Sequence, residues 1–473
     1  MFVDHTWFWV DKFAGPIAEE ITKRTGVTLE LVKAADENQL PVRIASGDYE
    51  DMIYTSRLFD QLSDPKISYD WNGLIEQYAP SFKIASIEIG NNTVADGKFY
   101  TCTNAYSPPD EWKDVRILPS PGTPNIGIRS DIMEKLGNPA INNVDDFVKV
   151  LEMVKGKYPE MTPHIINIAE GYDRYWWATF GVPAGSAGVY VKDDKVQYFV
   201  RSPEFKEAAK FMNLMVTKGL MSVESLIYKS EQYGQEVASG KAFSFARAMT
   251  DPIGVTQDLE KNGIKGAKFV PIEKLLSDKA VTINDGIGWS GTFITKNCKT
   301  PDRAIQFLEY MKSEEGQRLS TWGIEGVHYK MVDGYPEKTD AGREAMTSKG
   351  YTDVCIGVWT FGMSAKAEGI WNYDPSRPTV TNALIAWKNV IQFKPEYYFL
   401  KPKSDSDEGG TYVKINDLVT KEKIKLYSAK SPEEFDAAYA AMVKTAEDMG
   451  LGALEAWMTE KYVKEVKPKY ADK

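Results

Sequence analysis

The chain opens by switching repeatedly between the two hydrophobic periods that separate strands from helices, and this alternation restricts its fold more than any other feature. Pro16 can begin a helix where its missing N–H costs nothing; Ile17, Ala18 and Ile21 give that helix an apolar stripe, Lys23 and Arg24 fall in its last turn, and Gly26 ends it. Val27, Leu29 and Leu31 then alternate with polar residues as in a strand, residues 38–45 read as helix up to Gly47, and Asp51–Thr55 is a short β run. A β-α-β-α-β order predicts an open, largely parallel sheet with helices on both faces. Ligands of such sheets bind beyond the carboxyl ends of the strands, so residues just after strands matter most.

The same grammar returns near residue 126. Ser130 can cap a helix closed by Gly137, and Asn143 can cap a helix whose Val144, Phe147, Val148 and Leu151 fall at i, i+3, i+4 and i+7. A strand-like His164–Ala169 follows, Ser202-Pro203-Glu204 opens a further helix, and Lys241–Phe245 is the next strand. A helix from Thr300-Pro301-Asp302 and Ala-rich helices from Ser431-Pro432 onward complete the pattern. The expected fold class is α/β: two α/β lobes with a helical C-terminal region.

Length agrees with this, since 473 residues at about 150 per domain suggest two or three domains. The net charge of −10 and the lack of any Lys/Arg block argue against nucleic acid as a partner. No uninterrupted apolar run approaches the ~20 residues of a membrane span. Cys102, Cys298 and Cys355 are far apart and form no C-x-x-C pair, so neither a zinc ribbon nor a redox motif is supported. Met1 is not followed by the charged-then-apolar segment of a secretory signal. That leaves a cytosolic protein or a trimmed mature form.

Catalytic motifs fare poorly. Gly286-Ile-Gly288-Trp-Ser-Gly291 has dinucleotide-fingerprint spacing, but Thr292–Thr295 after it looks like a strand, whereas a phosphate cradle must open a helix. Around Ser290 the closing glycine of a hydrolase elbow is displaced. His5, His164 and His328 are the only histidines, and a structural role is expected for each. The acidic loop from Ser404 to Gly410 resembles half a calcium loop, yet its twelfth position is Asn416 rather than Glu, which favours a solvated turn. No metal and no cofactor is expected. Carboxylates beside aromatics, namely Glu111, Asp173 and Asp374, keep a glycoside hydrolase or lyase open as an alternative.

The aromatic residues are more informative: 12 Trp, 25 Tyr and 20 Phe, with several Trp clustered in loop-like contexts after strands. Trp7-Phe8-Trp9 follows the expected first strand, Tyr172–Trp177 follows the strand at Ile165–Ala169, Trp289 sits among glycines, and Trp359 and Trp371 lie in a later patch. A single Trp is usually core. Flat rings flanked by Asn, Asp, Arg and Ser, however, suit pyranose rings, whose C–H faces stack while their hydroxyls need polar partners. The pattern points to a carbohydrate cleft.

Ala45-Ser-Gly-Asp48 with Asp51-Met-Ile-Tyr54, Leu74–Pro80, Asn125–Asp131 with Leu136-Gly137, Glu314–Arg318 and Trp322–Tyr329 together resemble the family 1 extracellular solute-binding proteins of ABC importers. Within that family the chain is similar to large oligosaccharide-binding lipoproteins of Gram-positive bacteria and to alginate-oligosaccharide-binding proteins. The resemblance implies a two-lobe periplasmic-binding-protein-like fold of type II, with hinge-linked lobes that close on a sugar. Residues 1–125 and 290–345 would form the N-terminal lobe, and 126–289 and 346–473 the C-terminal lobe. It implies a non-enzymatic monomer that delivers an oligosaccharide to a membrane permease. The protein would be extracellular and lipid-anchored, its signal and anchor trimmed from this sequence, or alternatively periplasmic. Peptide or another solute on the same fold is a further alternative.

Expected stacking surfaces are Trp7, Trp9, Tyr54, Trp176, Trp177, Trp289, Trp359 and Trp371, the Trp359 assignment resting on the family's Ile-Gly-x-Trp pattern at Ile356-Gly357-Val358-Trp359. Arg247, Asp251 and Asp285 are expected polar partners, with Arg174 and Arg377 added if the sugar is a uronate. Alginate-binding members carry a Trp after the strand ending at Phe245, where this chain has Ala246–Met249; they also carry a calcium loop where this chain has Lys155–Pro159. No calcium is expected there.

Overall fold

The computed structural model describes the chain apart from Trp9, Glu37, residues 120–123, 249–254, 257–258, Met363, 404–405 and 471–473, and the side chains of residues 124, 230, 248, 348–349 and 358–360. The chain divides into two compact units, Met1–Leu118 with Gly286–Asp374, and Pro119–Asp285 with Pro375–Lys473.

The first unit is built on a four-stranded sheet in the order Gly291–Ile294, Met52–Thr55, Phe2–Val3, Val32–Lys33. Phe2–Val3 runs parallel to both neighbours, while Gly291–Ile294 joins antiparallel, with Thr292 opposite Tyr54. Side chains alternate across the sheet. Val3, Met52, Tyr54 and Ile294 pack on one face with Ile17, Ile21, Ile305 and Leu308, whereas Phe2, Ile53 and Phe293 pack on the other with Leu40, Leu62 and Tyr100. The strand expected at Val27–Leu31 is displaced to Val32–Lys33. Its partner is Phe2–Val3: Phe2 lies opposite Val32 and Val3 opposite Lys33, and the Val32 N–H reaches the Met1 carbonyl at 2.9 Å.

The second unit carries a sheet in the order Thr162–Ile166, Ala242–Ala248, Pro124–Arg129, Phe269–Pro271. Ala242–Ala248 is parallel to Thr162–Ile166 and antiparallel to Pro124–Arg129. Asn143 caps the helix Val144–Lys157 by accepting from the Asp146 N–H at 2.8 Å, and Ser202 caps Pro203–Thr217 through the Phe205 N–H at 3.1 Å. A hairpin, Val189–Lys192 with Lys195–Tyr198, turns through Asp193 and Asp194, both at positive φ, as a two-residue turn requires. Helices Asp407–Tyr427, Pro432–Asp448 and Leu451–Lys461 form the helical C-terminal region. No helix of the described residues is long and apolar enough to cross a membrane.

One lobe assignment needs correction. Residues 346–374 belong to the first unit, because Trp371 packs with Trp322 and Tyr329, and Phe361 packs edge-on to Tyr54 at 5.3 Å. The other divisions fall after Leu118 and Asp285 rather than after 125 and 289.

Candidate functional site

In the first unit, the carboxyl ends of two parallel strands and the start of the antiparallel one meet at a cluster of rings. His5 and Trp7 leave the strand Phe2–Val3, Tyr54 lies on Met52–Thr55, and Trp289 stands two residues before Gly291–Ile294. The His5 ring stacks on Trp7 with centroids 4.9 Å apart, and lies 5.0 Å from Tyr54 and 5.6 Å from Trp289. Trp7 and Trp289 are 5.9 Å apart with their planes inclined at 43°. Trp7 is 46% exposed and Trp289 40%, while His5 and Tyr54 are buried beneath them. Two large rings are thus held open to solvent on a support of packed rings.

Polar groups fix this support. The Tyr54 hydroxyl is 2.9 Å from Ser290 Oγ, which donates to Asn104 Oδ1 at 2.7 Å, and the Ser290 N–H reaches the same oxygen at 3.2 Å. Asp4 accepts from Arg57 through two hydrogen bonds of 2.7 Å and from the Thr55 hydroxyl at 2.7 Å. Gly288 has φ +96°, and a Cβ there would meet the Asn104 carbonyl oxygen at 2.0 Å, so the turn that delivers Trp289 requires glycine. Burial pushes the His5 imidazole down to about 4 against the opposing pull of Asp4, so it is neutral in ordinary conditions.

Other expected site residues sit elsewhere. Trp176 is fully buried in the second unit, between Phe211 at 4.5 Å, Tyr175 at 5.0 Å and Phe147 at 5.6 Å. Its role as an open stacking surface is corrected, because core side chains already surround the ring. Trp177, half-buried, stacks on Phe199 at 4.9 Å, lies beneath the Lys423 ammonium, and donates to the Tyr427 hydroxyl at 3.3 Å. Trp371 is likewise core, its Nε1 2.9 Å from Met346 Sδ and its ring under Lys338. Tyr54 is buried and contributes as a support rather than as an open face. Arg247 lies 3.9 Å from Glu170. Asp285 is pushed up to about 6 by burial, partly offset by hydrogen bonds from Ser186. Trp9 and Asp251 lie outside the described residues, as does the Trp359 side chain.

Two of the three carboxylates that kept a hydrolase open are paired with lysines, while burial pushes the Glu111 carboxyl up. Asp173 is fully buried, 2.9 Å from the Lys423 ammonium and 3.0 Å from the Tyr427 hydroxyl, and Asp374 is buried 3.8 Å from Lys338. The glycine-rich run at Gly286 leads into the strand Gly291–Ile294, not into a helix. Asp407 starts a helix capped by Ser406, and Asn416 lies within it, so from Asp407 onward the expected solvated turn is helix; residues 404–405 lie outside the described residues. No group of three or more His, Cys, Asp or Glu among the described residues forms a metal site. The residue that sequence reasoning undervalued is His5. Its position directly after a parallel strand, two residues before Trp7, was the available signal.

Sheets of this order, with an aromatic patch at strand ends in the first unit, make an α/β protein of two units. Residues 16–327 match the family of bacterial extracellular solute-binding proteins, and the chain belongs to that family. Lipoprotein LipO of Bacillus subtilis (strain 168) is 21% identical over 224 residues, covering 44% of this chain and 44% of its own length. The fructooligosaccharide ABC transporter substrate-binding protein FusA of Streptococcus pneumoniae serotype 4 is 23% identical over 339 residues, covering 66% of this chain and 60% of its own length. The matches thus span less than two thirds of either relative. Alginate-binding protein AlgQ2 has the same fold, at TM-score 0.67, 18% identity and 96% coverage of both chains. FusA in complex with kestose matches at TM-score 0.65 and 15% identity, with 99% of both chains covered.

Proposed function

We propose that this protein captures an oligosaccharide outside the cell and presents it to the membrane permease of an ABC importer, leaving the sugar chemically unchanged. The observation that carries this reading is the pair of exposed rings, Trp7 and Trp289, inclined at 43° above the Tyr54–Ser290–Asn104 network. Ring faces cover the apolar side of a sugar, and neighbouring hydroxyl and amide groups answer its hydroxyls. The ligands of similar proteins support it: fructooligosaccharide and kestose for FusA, and alginate for AlgQ2. The likeness to LipO supports a lipid-anchored protein of a Gram-positive bacterium.

Calorimetry of the purified protein against oligosaccharides of several classes, followed by chromatography of the recovered sugar, tests the reading. Binding with unchanged ligand is the expected result. Turnover of the sugar, or failure of every class with the protein folded, would remove it.

A further inference from the structure

The charges around the Trp7–Trp289 patch bear on which oligosaccharides it accepts, a question that rests on the reading just given. Asp4 is buried at the base of the patch, and both Nε and Nη2 of Arg57 are spent on its two carboxylate oxygens at 2.7 Å, with Thr55 adding a third bond. A bidentate pair of this kind uses one of the two guanidinium edges able to clasp a carboxylate and places a matching negative charge against it. The charge of Arg57 is therefore answered before any ligand arrives.

Three further polar side chains described at the patch are uncharged. Tyr54, Ser290 and Asn104 offer hydroxyl and amide atoms in one connected network. His5 packs against Trp7, Tyr54 and Trp289 at ring distances of 4.9 to 5.6 Å, and burial disfavours its cationic form. A surface that keeps an imidazole neutral penalises any charge brought against it without a partner. In the second unit, considered by itself, Arg247 lies 3.9 Å from Glu170, and Arg174 donates from Nε to the Gly171 carbonyl at 3.0 Å.

We infer that the Trp7–Trp289 patch is a subsite for a neutral oligosaccharide rather than for a uronate. A uronate laid across these rings would lose water from its carboxylate while facing a cation already committed to Asp4. A neutral sugar loses no such charge hydration, and its hydroxyls can both donate to and accept from groups like those at Ser290, Asn104 and Tyr54.

The test is calorimetry of the full chain with two panels of matched length, one of neutral fructo-, malto-, xylo- and manno-oligosaccharides and one of alginate and galacturonate oligosaccharides, each at low and high salt. Binding by a neutral member is expected, with affinity unaffected by salt and with Trp7→Ala and Trp289→Ala each weakening it about tenfold or more, as loss of a stacked ring does. A uronate that binds more tightly than every neutral sugar, and loses affinity as salt rises, would overturn the neutral assignment while leaving the oligosaccharide reading intact. Failure of both panels with the protein folded by circular dichroism would overturn the oligosaccharide reading itself.

Discussion

The Tyr54 hydroxyl lies 2.9 Å from Ser290 Oγ across 236 residues of sequence, and both groups are buried. This bond ties the strand end that carries Tyr54 to the turn that carries Trp289. Ser290→Ala should cost about 1–3 kcal/mol, because Asn104 Oδ1 and the Tyr54 hydroxyl lose a buried partner. Urea unfolding of the variant measures the loss; an unchanged midpoint would show that the network does not hold the patch.

Gly288→Ala should be worse than an ordinary loop substitution. Its positive φ and the 2.0 Å approach of the new Cβ to the Asn104 carbonyl force the turn to move, and Trp289 with it. Weaker ligand binding together with a lower Tm is the expected pair of effects.

Trp7 and Trp176 should separate binding from stability. Trp176→Ala removes a fully buried ring and should destabilise by about 3–5 kcal/mol. Trp7→Ala, at a ring 46% exposed, should cost clearly less stability than this while weakening sugar binding by about 1–3 kcal/mol. Parallel denaturation and calorimetry of both variants check the contrast.

The Lys423–Asp173 pair is a buried ion pair with a tyrosine on the same carboxylate. Lys423→Met leaves Asp173 buried without its cation and should cost about 3–5 kcal/mol. Adding Asp173→Asn to that variant should recover part of the loss, as read by urea unfolding of the single and double variants.

Acid should destabilise the fold through two imidazoles. Burial holds His5 near 4 and His164 near 3, against 6.5 for a free imidazole. Below 6.5 the unfolded chain takes up protons that the native one refuses, so this stability is present at neutral pH and lost progressively on acidification. Asp285, raised from 3.8 to about 6, works in the opposite sense. Between those values the native state holds the extra proton, so stability falls as pH rises through the window. Asp285→Asn should therefore stabilise at neutral pH and steepen the loss in acid, which urea midpoints across the range would reveal.

Much of this was legible where local chemistry decides it. Asn143 and Ser202 cap the helices they announce, and the alternation through Tyr54 places strands on a parallel sheet. Long-range packing decided the rest. Trp176 and Trp177 are neighbours in sequence, yet one enters the core beside Phe211 and the other lies under Lys423, and only the helix they occupy distinguishes them. The approach of Trp7 to Trp289 depends on an antiparallel strand returning from far along the chain, and no spacing rule announces it. The first-unit assignment of Trp371 likewise follows from contacts with Trp322 and Tyr329 rather than from its position.

That returning strand also sets an order of assembly. A chain made amino end first releases all four strands of the second unit's main sheet, the last at Phe269–Pro271, before Gly291–Ile294 emerges. Until then the Met52–Thr55 strand has an open edge, a template for pairing with other chains. Closing it late, over a long loop, leaves this edge open to pairing with other chains during folding.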